Sequence, residues 1–157
     1  MKKNELAAAI CALCFVAVLG VSAVFDRSIR MLHTFESIPY LAAAILSLRH
    51  NKFGYALGTV SGAFWILMAG FRTTFIRNGF QLLFAGKFDR PDILIAVPAA
   101  IAAGGLAIFS AVAYARSANK SWRDAGAFAA ALFAVPIFFL LIFAEFAPRY
   151  LPLFGLT

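Results

Sequence analysis

Five apolar stretches divide the chain, at residues 6–25, 29–48, 53–71, 93–115 and 125–147, and short polar segments separate them. A helix rises 1.5 Å per residue, so about 20 residues reach the ~30 Å of a bilayer's hydrocarbon core. The pattern predicts an all-α, polytopic integral membrane helix bundle of about five transmembrane helices, forming a single domain over residues 1–157. The first stretch follows Lys2 and Lys3 and ends near Val21-Ser22-Ala23, which resembles a signal-peptide cleavage site. Its apolar run is longer than a signal core, so it is expected to be retained as a span.

The second stretch is the ambiguous one. If residues 29–48 cross, His33 and Glu36 enter the membrane and Pro39 lies within a helix, where it frees a carbonyl and favours a kink. A kinked span is expected; the alternative is four spans plus a re-entrant segment. The third stretch carries no charge and repeats glycine at Gly54, Gly58 and Gly62, all on one helical face. Glycine there lets a second helix approach to backbone contact. The fourth and fifth stretches carry small residues as well, with Gly104 and Gly126 as further packing positions, and the phenylalanines of the fifth are expected to face lipid.

Between the third and fourth stretches the period changes. Over residues 72–86, Phe75, Ile76, Gly79, Phe80, Leu82 and Leu83 fall on one side, and Thr73, Thr74, Arg77, Asn78 and Gln81 on the other. This predicts an amphipathic helix in the interface plane, ending at Gly86. A plain surface connector is the competing reading. Tyr55, Tyr114, Trp122 and Tyr150 lie near the ends of runs, as interfacial aromatics do.

Composition strengthens the membrane reading. Hydrophobic residues make up 63% of the chain and charged residues 13%, against roughly 45–50% and 25% in soluble domains. The net charge of +7 sits in short loops that suit anionic headgroups, so no nucleic-acid partner is expected. Basic residues balance on the two sides, which leaves orientation undecided. Cys11 and Cys14 form a C-x-x-C inside an apolar run without the βαβ context of a redox motif, and read as small packing residues.

Ionisable groups at membrane depth are the candidates for chemistry. These are Arg30, His33 and Glu36 on the second stretch, Arg72 at the end of the third, and Glu145 within the fifth, where Arg149 is its expected ion-pair partner. Glu36 is expected to pair with Arg30 or another arginine if it serves structure alone. His33 and His50 fall at opposite ends of one helix, so a single haem cannot use both. Too few ligands are present for a metal site, no catalytic motif is evident, and no cofactor is expected. The functional expectation is a small non-catalytic membrane subunit or homo-oligomer of the bacterial inner membrane, with the bilayer and further membrane subunits as partners. The alternatives are a transporter or channel for a small solute, and a membrane enzyme or redox carrier using His33 and Glu36.

Overall fold

The computed structural model of the chain describes residues 3–155, with the backbone alone at residues 153 and 154; Lys2 lies outside the described residues. The order of elements is α1 (Lys3–Phe25), a 3-10 turn (Arg27–Ile29), α2 (Arg30–Leu48), α3 (Lys52–Leu67) running into a π-turn (Met68–Arg72), α4 (Phe75–Phe84), a short α5 (Pro91–Leu94), α6 (Ala96–Ala115), α7 (Trp122–Phe146) and a 3-10 turn (Pro148–Phe154). There is no strand among the described residues. Five helical units are long and apolar enough to cross a membrane: Lys3–Phe25, Arg27–Leu48, Lys52–Arg72, Pro91–Ala115 and Trp122–Phe146. The second of these is continuous through Pro39, which is buried.

Local chemistry fixes where these helices start and stop. Asn51 caps α3 by accepting from the Phe53 amide, and Ser121 with Asp124 forms a reciprocal capping box on α7. Both α2 and α4 end in the same hydrogen-bonded turn. Asn51 N–H donates to Leu46 and His50 N–H to Ser47, while Lys87 N–H donates to Leu82 and Gly86 N–H to Leu83. The residue at the left-handed position is Gly86 in one, at φ 65°, and His50 in the other, at φ 57°. Glycine is the residue that position ordinarily takes. A histidine there carries a Cβ penalty of about 1 kcal/mol.

Short connections alternate the spanning helices. Glu5, His50, Lys52 and Asp124 therefore gather at the N-terminal end of the bundle, and Asp26 and Arg149 meet at the opposite end. Helix α3 is central, packing on α2, α6 and α7, while α1 packs on α2 and α6. The glycine stripe of α3 serves two neighbours. A Cβ on Gly54 would strike Leu46 and Ser47 of α2, one on Gly58 would strike Ser110 of α6, and one on Gly62 would strike the Ala103 carbonyl of α6. A repeat of four drifts about 40° per step on a helix of 3.6 residues per turn, so the stripe turns from α2 toward α6 as it descends.

The small residues of α6 and α7 lie differently from the sequence expectation. Gly105, and not Gly104, faces α1, where a Cβ would come within 2.7 Å of Cys11 Sγ; a Cβ on Gly104 or Gly126 would meet nothing within 4 Å. On α7 the residues Gly126, Ala130 and Ala134 are exposed, whereas Ala131, Val135, Phe139 and Ile142 are buried. Phe139 fills the core instead of facing outward, with its ring 5.0 Å from that of Phe64. At mid-bundle Phe15 packs on Tyr40 at 4.3 Å and on Trp65 at 5.1 Å between ring centroids.

Candidate functional site: a cavity beside His33 and Glu36

A cavity of about 510 Å³ opens at the end of the bundle opposite the N-terminus. It lies between the last turns of α1, the first turns of α2, the π-turn after α3, α4, the start of α6 and the end of α7. The π-turn matters to its shape. Thr73 N–H reaches back to Met68 O at 3.1 Å and Thr73 Oγ1 donates to Ala69 O at 2.8 Å, so the backbone widens where Met68 and Ala69 line the cavity. Such π-turns are frequent at functional sites.

Helix α4 covers the cavity from one side. Gly79 seats it on α6, since a Cβ there would lie 3.0 Å from Ala96 Cβ and from Ile93 O. Phe75, Asn78, Thr73 and Thr74 then face the cavity, while Arg77 and Gln81 are exposed. The polar side of the amphipathic pattern is thus split between solvent and cavity, and the segment is more than a connector.

The polar centre of the cavity wall is the pair His33 and Glu36. Glu36 is only 4% exposed, although it lies just six residues, about 9 Å of helix, past Arg30. His33 Nδ1 and Glu36 Oε2 are 2.8 Å apart, and His33 Nε2 is 3.2 Å from Ser22 Oγ of α1. A neutral imidazole protonated at Nδ1 satisfies both contacts: it donates to Glu36, and Ser22's hydroxyl donates to Nε2. Glu36 Oε1 has no hydrogen-bond donor among the described residues.

The remaining charges near the cavity are matched locally. Asp26 Oδ1 accepts from Ser28's amide and hydroxyl at 2.8 and 2.6 Å, and Arg149 reaches Asp26 Oδ2 at 3.4 Å. Ser28, and next Arg149, hold the Asp26 carboxyl below the usual carboxylate range. Arg90 grips Asp92 with two hydrogen bonds of 3.1 and 2.9 Å. No lysine or arginine lines the cavity among the described residues.

A second carboxylate site closes the other end. Glu5 is 3% exposed; Tyr55 donates to its Oε1 at 2.7 Å, and His50 Nδ1 lies 2.7 Å from its Oε2. Lys52 donates to Asp124 at 2.8 Å and to the Asn119 carbonyl at 2.7 Å beside it.

Of the candidates read from sequence, His33 and Glu36 come together, and Arg30, Arg72 and Glu145 do not join them. Arg30 does not pair with Glu36. Its Nε donates to Ala23 O at 3.0 Å, because the start of α2 lies beside the last turn of α1. Arg72 is exposed at the end of the π-turn and Glu145 is exposed near the end of α7. Arg149 engages Asp26 and Ser28 and not Glu145: α7 stops at Phe146 and the 3-10 turn carries the guanidinium away from its i−4 neighbour. Glu5 and Ser22 escaped the sequence reading, and Tyr55 is buried at 2% exposure instead of belonging to an interfacial belt. The first helix starts at Lys3, so Glu5 lies inside a run whose apolar boundary suggested Leu6. His33 and His50 fall at opposite ends, and among the described residues no three His, Cys, Asp or Glu side chains converge on a metal position. No family model, curated protein or solved structure matches the chain.

Proposed function

We propose that this chain is an integral protein of the bacterial inner membrane that holds a small, largely apolar solute in the cavity beside His33 and Glu36, as the binding step of a carrier. The observation that carries this reading is the cavity itself: about 510 Å³ with one buried, incompletely bonded carboxylate in its wall. Ligand pockets span roughly 300–1,000 Å³ and combine apolar walls with a few placed polar groups. Packed side chains at the Glu5 end favour a one-sided vestibule over an open channel. The five apolar helical units support the bilayer, and crossing by helices instead of a barrel suits an inner membrane.

Accessibility tests it. With Cys11 and Cys14 replaced by alanine, a Met68→Cys variant in oriented vesicles is expected to react with a membrane-impermeant thiol reagent from one face only, and bound solute is expected to slow the reaction. Labelling from both faces, or from neither, sinks the vestibule.

A second reading, a homo-oligomeric membrane component, is favoured by one observation: Gly126, Ala130 and Ala134 form an exposed small-residue face on α7, the kind that lets helices associate in lipid. Cross-linking through Ala130→Cys between copies is its test, and monomer at every lipid dilution would remove it.

A further inference from the structure

We infer that the solute of this cavity is a monovalent organic ammonium carrying an apolar, ring-sized body; the inference rests on the cavity being a binding site. Charge sign is the first argument. The carboxylates that line the cavity are Asp26, Glu36 and Asp92. Asp26 is held by Ser28 and Arg149, and Asp92 by Arg90. Glu36 differs from both: its one partner is His33, its Oε1 is without a donor among the described residues, and it is buried. A carboxylate oxygen that opens on a mostly apolar cavity without a protein donor is poorly solvated, and an N⁺–H donor relieves that cost with a short charge-assisted bond.

The walls supply the second argument. Phe64, Trp65, Phe139, Phe143 and Tyr150 present ring surface to the same space. Aromatic faces attract an alkylammonium and also bury its hydrocarbon part. The donor set argues against a bare divalent ion, because Ca²⁺ takes six to eight oxygens and Mg²⁺ near-ideal octahedral ligation, whereas one carboxylate with one histidine offers far fewer. Volume disfavours the smallest amines, which would fill little of the space. A space of about 510 Å³ is far larger than an ammonium head, so affinity must come from the body as well as the charge.

The experiment uses three isosteric probes on the full chain in lipid nanodiscs: 4-phenylbutylammonium, the neutral 4-phenylbutanol and the anionic 5-phenylpentanoate. A Trp122→Phe background leaves Trp65, in the cavity wall, as the fluorescent reporter. The ammonium is expected to bind at least tenfold tighter than the alcohol, and the carboxylate more weakly than both. Glu36→Gln is expected to cut ammonium affinity at least tenfold and leave alcohol affinity unchanged. Alcohol or carboxylate binding as tightly as the ammonium overturns the assignment while leaving the cavity a binding site. Binding of none of the three overturns both this assignment and the reading on which it rests. The probe series on the Trp122→Phe chain with Glu36 intact decides the matter even if the Glu36 variant does not fold.

Discussion

The two ends of the bundle use the same pair of residue types, a glutamate buried on one helix and a histidine beside it, and complete them differently. At the N-terminal end both oxygens of Glu5 are engaged, by Tyr55 and by His50, with all three elements locked where α1, α2 and α3 meet. At the opposite end Glu36 has His33 on one oxygen and open cavity near the other. On the Glu5 side Gly54 and Gly58 bring α3 against Leu46 and Ser47 of α2 and Ser110 of α6. On the Glu36 side the π-turn and the seating of α4 frame the cavity instead. Carboxylate and imidazole therefore make a clasp where their bonding is saturated and a site where it is not. His50 sharpens the contrast, since it occupies a left-handed position where glycine would be easier, and the contact with Glu5 offsets that strain.

The largest effect should separate the two glutamates by stability alone. Glu5→Ala strips the buried Tyr55 hydroxyl and the exposed His50 imidazole of their shared partner at once and is expected to lower stability by about 3 kcal/mol. Glu36→Gln keeps an acceptor for His33 and is expected to cost under about 1 kcal/mol. Denaturant titration in mixed micelles measures both. Equal losses would erase the distinction between clasp and site.

A smaller effect should fall on the cavity alone. Gly79→Leu forces α4 off Ala96 and Ile93, at a cost of about 2 kcal/mol typical of overpacking. The cover should lift without touching Glu5, so thiol labelling of Met68→Cys is expected to rise several-fold while labelling of a cysteine at position 48 stays as it was. An unchanged Met68→Cys rate would show that α4 does not limit access.

The five helices were legible because hydrocarbon thickness imposes a length and hydropathy marks it. Gly86 was legible as a stop, for the left-handed turn there demands it. The glycine stripe pointed to close contact but not to its partners, because sequence spacing fixes a face and not which neighbour fills it. The same limit reversed the expectation for Phe139 of α7, which enters the core, while Phe133 is exposed as expected. His33 and Glu36 stood out as ionisable residues inside an apolar run. Glu5 did not, since a charge at the margin of a run looks like a headgroup residue until His50 and Tyr55, about fifty residues away in sequence, are seen to close over it. The cavity had no sequence signature at all, arising from the π-turn and the seating of α4.

The smallest effect concerns the strap across the open end. Asp26 is held below the usual carboxylate range by Ser28 and then by Arg149, so its folded-state pKa lies under the unfolded value of about 3.9. A depressed carboxylate contributes stability above the unfolded value and loses it as pH falls through the folded one. Asp26→Asn is therefore expected to be slightly less stable than the unmutated chain at pH 6, with the two converging as pH falls through the lowered folded-state value. Because the pair is solvent-exposed, raising the ionic strength should shrink even the pH 6 difference. The Tyr55–Glu5 bond of the clasp, shielded from solvent, should keep its effect in salt. A salt-insensitive difference at Asp26 would mean that the strap is buried against the cavity mouth, which would make the open end less open than its unsaturated carboxylate implies.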